Sequence, residues 1–63
     1  MAKTNIKVKL TGKDGNAFSI LGTVAGALKK HGKKELADEF LKEAMSGDYN
    51  HLLATAYDYV EVS

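Results

Sequence analysis

The chain reads as a small α+β domain, mostly helical, in the order strand, helix, helix, helix, short strand (β-α-α-α-β). Three observations predict this. Apolar and lysine side chains alternate from Asn5 to Thr11, three later stretches repeat their apolar residues at helical intervals, and the stretch Tyr59-Val60-Glu61-Val62 is rich in strand-favouring types.

In the first segment, NIKVKLT, Ile6, Val8 and Leu10 fall on one face and Lys7 and Lys9 on the other, as in a strand with one buried face and one cationic face. Gly12-Lys13-Asp14-Gly15 then supplies a turn, since glycine and aspartate tolerate the backbone angles that branched residues resist. Asn16 is placed to cap the helix that follows, because its side-chain oxygen can accept from a free N–H of the first turn. From Ala17 to His31 the spacing of Phe18, Leu21, Val24, Ala25 and Leu28 predicts an amphipathic helix, which Ile20 and Ala27 widen. Gly22 and Gly26 lie four apart on one ridge. Each costs about 1 kcal/mol relative to alanine, so a packing contact at that ridge is expected to offset them. Lys29, Lys30 and His31 suit the negative end of the helix, and Gly32 is the expected residue just past it.

A second helix is predicted from Lys33 to Ser46. Leu36, Ala37, Phe40, Leu41, Ala44 and Met45 form its apolar side, Asp38, Glu39, Lys42 and Glu43 its polar side, and Gly47 ends it. Asp48 and Asn50 are alternative caps of a third helix carrying Leu52, Leu53, Ala56 and Val60 on one face. Residues 59–62 either continue that helix or leave it to pair beside the first strand.

With 63 residues and 44% apolar content, the chain forms one domain, residues 1–63, with a modest core. A domain of this size buries only about 60% of the surface its unfolded chain exposes, so disulfides, a metal or a partner subunit commonly supplement it. There are no cysteines, and two histidines do not close a zinc site without several carboxylates. No cofactor or metal is expected, and self-association is the remaining source of stability. The lack of any apolar run near eighteen residues argues against a membrane partner, and with no signal-peptide pattern the expected location is the cytoplasm.

The net charge of +1 conceals a marked asymmetry. Residues 1–34 hold eight lysines and one acid, whereas residues 35–63 hold one lysine and seven acids. Such a dipole can draw an anion to one face or favour head-to-tail docking of two copies. No arginine is present, which disfavours base reading and planar phosphate clamping.

Four groups of residues are candidates for function. Ser46, Asp48 and His51 have the types of a hydrolytic triad, but the same residues are the ordinary material of a helix stop and an N-cap, and no catalytic residue is assigned. Glu39 and Glu43, one helical turn apart, are better read as a solvated face than as a cation site. The turn with Gly12, Lys13, Gly15 and Asn16 joins a strand to a helix N-terminus and is the candidate anion or nucleotide site, although it carries neither the P-loop nor the dinucleotide pattern. Lys7, Lys9, Lys29, Lys30, Lys33 and Lys34 are a candidate basic patch for nucleic acid. The aromatics lie in the acidic half, however, so solvated lysines are the favoured reading there. Finally, Tyr49, Tyr57 and Tyr59 crowd the C-terminal region. One is expected in the core, and at least one is expected on a contact surface.

The blocks Asp14-Gly15-Asn16-Ala17-Phe18, Ile20-Leu21-Gly22, Ser46-Gly47-Asp48-Tyr49 and His51-Leu52-Leu53, together with Glu39-Phe40 and Glu43-Ala44, give the chain a likeness to a known group. It resembles short uncharacterised proteins of bacteriophages and bacteria that share DGNAF-x-ILG and SGDY-x-HLL in this order. The resemblance covers most of the chain and implies a setting, a small accessory protein in a bacterial or phage-infected cell, but no catalytic residue. The lysine-rich stretch from Lys29 to Lys34 departs from the pattern expected of that group. The expected function is therefore noncatalytic binding of a host protein or ligand by a homo-oligomer. Anion or nucleotide sequestration is the alternative, and nucleic-acid binding through the lysines a weaker one.

Overall fold

The computed structural model describes residues 2–10 and 16–62. Its elements are β1 (Lys7–Val8), α1 (Ala17–Lys30), α2 (Lys34–Ala44), α3 (Tyr49–Tyr59) and β2 (Glu61–Val62), the predicted β-α-α-α-β order. The strand that follows the three helices runs in the same direction as the strand that precedes them. The two strands accordingly pair in parallel, Lys7 opposite Glu61 and Val8 opposite Val62. The pairing extends beyond the ladder. Lys3 N–H donates to the Asp58 carbonyl at 2.7 Å, Thr4 N–H donates to that of Tyr59 at 3.2 Å, and Glu61 N–H donates to that of Ile6 at 2.9 Å. The Thr4 hydroxyl also donates to the Tyr59 carbonyl, at 2.8 Å. Two-residue strands are weak alone, and this ribbon is held because Ile6, Val8 and Leu10 are buried against the helices while Lys7 and Lys9 face out.

Local chemistry sets the helix ends. The Asn16 side chain accepts from Ser19 N–H at 3.1 Å and starts α1. At its other end Lys33 N–H donates to the Leu28 carbonyl at 2.8 Å and Gly32 N–H to that of Lys29 at 3.0 Å, the paired bonds of a Schellman stop. Gly32 holds φ +76°, which a side chain would resist. Between the two open cap alternatives the structure selects Asp48, whose carboxylate accepts from His51 N–H at 2.9 Å. Residue Tyr59 ends α3, and the chain turns extended at Val60, so residues 60–62 leave the helix.

α1 packs mainly on α2 and α2 on α3. Phe40, Ile20, Leu28, Val24 and Val60 fill the centre. Phe40 meets the Tyr59 ring edge-on, with centroids 5.5 Å apart. Thr55, absent from the expected core, is 2% exposed and satisfies its hydroxyl by donating to the His51 carbonyl at 2.7 Å.

Three packing expectations are corrected. Phe18, placed in the core stripe by its spacing, is 86% exposed. It lies about 100° round the helix from the direction shared by Val24 and Leu28, outside the face that α1 buries. Met45 is 63% exposed because it follows the last residue of α2, where the chain has already left the helical path. Gly22 and Gly26 have nothing among the described residues within 4 Å of where a Cβ would stand, so no contact with those residues offsets their helix penalty.

Candidate functional sites: a polar cleft and an apolar groove

Two surfaces concentrate the chemistry. The first is an open cleft of about 390 Å3 where the N-terminal segment crosses α2 and α3, lined by Lys3, Glu43, His51, Thr55, Asp58 and Tyr59. One wall is the i, i+4 row His51, Thr55 and Tyr59 of α3, and Glu43 of α2 faces it, with Glu39 one turn before Glu43 standing against Tyr59.

At one end of the cleft, Lys3 Nζ lies 2.7 Å from Glu39 Oε2 and 4.7 Å from the centre of the Tyr59 ring. The Tyr59 hydroxyl donates to the same Glu39 oxygen at 2.5 Å. The hydrogen bond from Lys3, then that from Tyr59, holds the Glu39 carboxyl below the usual carboxylate range. Glu39 in turn raises Lys3 above the ordinary lysine value, and burial followed by the bond to Glu39 raises Tyr59. These charges bind the N-terminal segment to the helices.

The other end holds the three residue types of a hydrolytic site in an arrangement that does not form a relay. His51 Nε2 lies 3.0 Å from the Glu43 main-chain oxygen, 3.0 Å from Glu43 Oε2 and 3.3 Å from Ser46 Oγ. Two oxygens that only accept converge on that nitrogen, so it carries the hydrogen. The Ser46 hydroxyl directs its own hydrogen to the Glu43 carbonyl at 2.6 Å. A nucleophilic serine needs the imidazole lone pair on one nitrogen and the acid on the other, whereas here acid and serine share one nitrogen. Asp48 does not reach the ring and caps the His51 main chain, the ordinary role that its position also allowed. Gly47 is required because the His51 side chain lies 2.8 Å from where a Cβ would stand. The cluster is a clasp between the end of α2 and the start of α3. Glu39 and Glu43, the possible cation pair, each have a partner of their own, and no group of three metal-ligating side chains occurs among the described residues.

The second surface is a groove of about 290 Å3 between the start of α1 and the turn from α2 to α3. Phe18, Leu21, Met45, Tyr49 and Leu52 line it, with Asp48 at its rim. It continues onto the outer face of α1, where Phe18, Gly22 and Gly26 are exposed and no charged residue occurs from Ala17 to Leu28.

Among the remaining sequence-based candidates, Gly12, Lys13 and Gly15 lie outside the described residues. The Asn16 side chain is already engaged by Ser19 N–H, which removes one donor from that helix end. Lys7, Lys9, Lys29, Lys30, Lys33 and Lys34 are all exposed. Of the three tyrosines of the candidate interface, Tyr57 is 61% exposed and Tyr49 is half-buried beside the groove. Tyr59, at 4% exposure, is the one that belongs to the core, because its ring must cover Phe40 while its hydroxyl reaches Glu39. No described helix is long and apolar enough to cross a membrane. No family model, no curated protein and no solved structure matches the chain.

Proposed function

We propose that this is a noncatalytic binding protein, an accessory protein of the phage and bacterial type that it resembles, which makes its protein contacts, with a host protein or with another copy of itself, through the apolar surface beside α1. The observation that carries this reading is Phe18, a large aromatic left 86% exposed beside Met45 in a chain whose interior is otherwise closed. Contiguous exposed apolar surface in a small domain marks a contact site, and aromatic and methionine side chains are enriched at such sites. Anion capture is less well supported, since Asn16 already fills part of its helix end. The polar cleft has the size of a small-ligand site, but its charged walls are paired with one another.

The test immobilises the chain and a Phe18→Ser variant, captures proteins from bacterial lysate, and reconstitutes binding with the purified candidate. A partner bound by the parent chain and weakened at least tenfold by Phe18→Ser supports the reading. Equal binding by both chains, or a partner released instead by neutralising Lys29 and Lys30, overturns it.

A further inference from the structure

The outer face of α1 is unusual for a helix open to water. From Ala17 to Leu28 it carries no charge, and the residues that point away from the core are Phe18, Gly22 and Gly26, flanked by the small Ser19, Thr23 and Ala27. Solvated helix faces ordinarily carry lysine and glutamate, which favour the helix and water alike. The two glycines weaken α1, and none of the described residues uses the bare backbone that they present. Bare backbone at positions i and i+4 allows another helix to approach closely, with the i±4 ridges of the two interleaving. Phe18 lies on the same ridge, one turn before Gly22.

Resting on the reading of this face as a binding surface, we infer that its occupant is a second copy of the chain, with the two α1 helices packed antiparallel about a twofold axis at Gly22. In that register Gly22 meets the partner's Gly22, and each Phe18 enters the hollow over the partner's Gly26. Charge decides the direction. A parallel pair would set Lys29 and Lys30 of both copies side by side, which is repulsive. The antiparallel pair sends each lysine end past the other copy's Phe18, toward the groove whose rim carries Asp48. It also sets the two helix dipoles in opposition. A chain with so small an interior gains stability by this burial, because the association closes an apolar surface that the protomer alone leaves in water.

The experiment uses the full chain in sedimentation equilibrium and in cross-linking. The parent chain is expected at twice its 6.8 kDa mass at 100 μM, and Phe18→Ser and Gly22→Gln at the single mass with unchanged circular dichroism. Gly22→Gln discriminates well. On a solvated face it would stabilise α1 and leave the mass alone, whereas between close-packed helices it must separate them. Because the chain has no cysteine, Gly22→Cys reports the register directly: it is expected to form a covalent dimer on oxidation, while Gly26→Cys alone does not. A single mass for the parent chain up to 1 mM, a dimer that survives Gly22→Gln, or equal cross-linking at positions 22 and 26 overturns the inference. If the parent chain is monomeric but host-protein capture still depends on Phe18, the binding reading stands and only the second-copy inference fails.

Discussion

Phe40 and Glu39 are neighbours on α2, about 100° apart round the helix, one buried and one exposed, and both converge on Tyr59. Phe40 is fully buried, so Phe40→Ala removes an aromatic from the centre of a core with little else to close over it, a loss of roughly 3 to 5 kcal/mol. A domain of this size seldom has more to lose, so the variant is expected to be unfolded at 25 °C by circular dichroism. A cooperative melt at the parent temperature would show that the interior is organised around another residue. Glu39 acts through charge, and the sign follows from its depressed pKa. The stabilisation is present above about pH 4.3, the unfolded value, and is lost as pH falls through the folded one. Lys3 and Tyr59 are both raised, so their share is present below about pH 10 and is lost as pH rises through their folded values. In a melting series, Glu39→Gln should flatten the acid limb of Tm against pH, and an unchanged limb would assign acid sensitivity to other carboxylates. None of this is written in the local pattern, because Lys3 and Tyr59 stand 36 and 20 residues from Glu39.

The helices were readable in the order that their caps impose. Asn16, Gly32 and Asp48 each do what a single short-range rule expects of them, since a cap requires only the geometry of its own turn. Asp48→Ala should therefore cost about 1 kcal/mol, while Asn50→Ala, already inside α3, should change stability by less than half of that. Chemical denaturation of the two variants separates them, and equal losses would contradict the assignment of the cap. Gly47→Ala is a different disruption. The new methyl meets the His51 side chain at its Cβ, so α3 must shift or the clasp to Glu43 must open, and Tm is expected to fall. What the helical periodicity misjudged was the limit of burial. Phe18 and Met45 fall at intervals that a core stripe allows, but Phe18 lies at the edge of that stripe, outside the buried face of α1, and Met45 follows the last residue of α2.

The whole molecule measures 27 × 23 × 20 Å, scarcely more than a helix diameter of interior in each direction. The parallel ribbon at its edge draws the two ends of the chain together, and the three helices leave one face of α1 without cover. If that face closes on a second copy, stability depends on concentration. A tenfold dilution of the parent chain should lower Tm by a few degrees for a domain of this length, whereas Phe18→Ser should melt at a temperature independent of dilution. Scanning calorimetry at 20 and 200 μM reads the difference, and identical melts of the parent chain would contradict the dimer.

Element order, strand alternation and helix stops were determined by the sequence itself, because each depends on residues within about five positions of one another. The tertiary structure decided the rest. It chose a parallel ribbon over a continued helix, set Tyr59 inside and Tyr57 outside, brought Glu43 rather than Asp48 to the His51 ring, and left Phe18 in solvent. Each of those outcomes turns on which helix faces which, and a hydrophobic period carries no record of what stands opposite it.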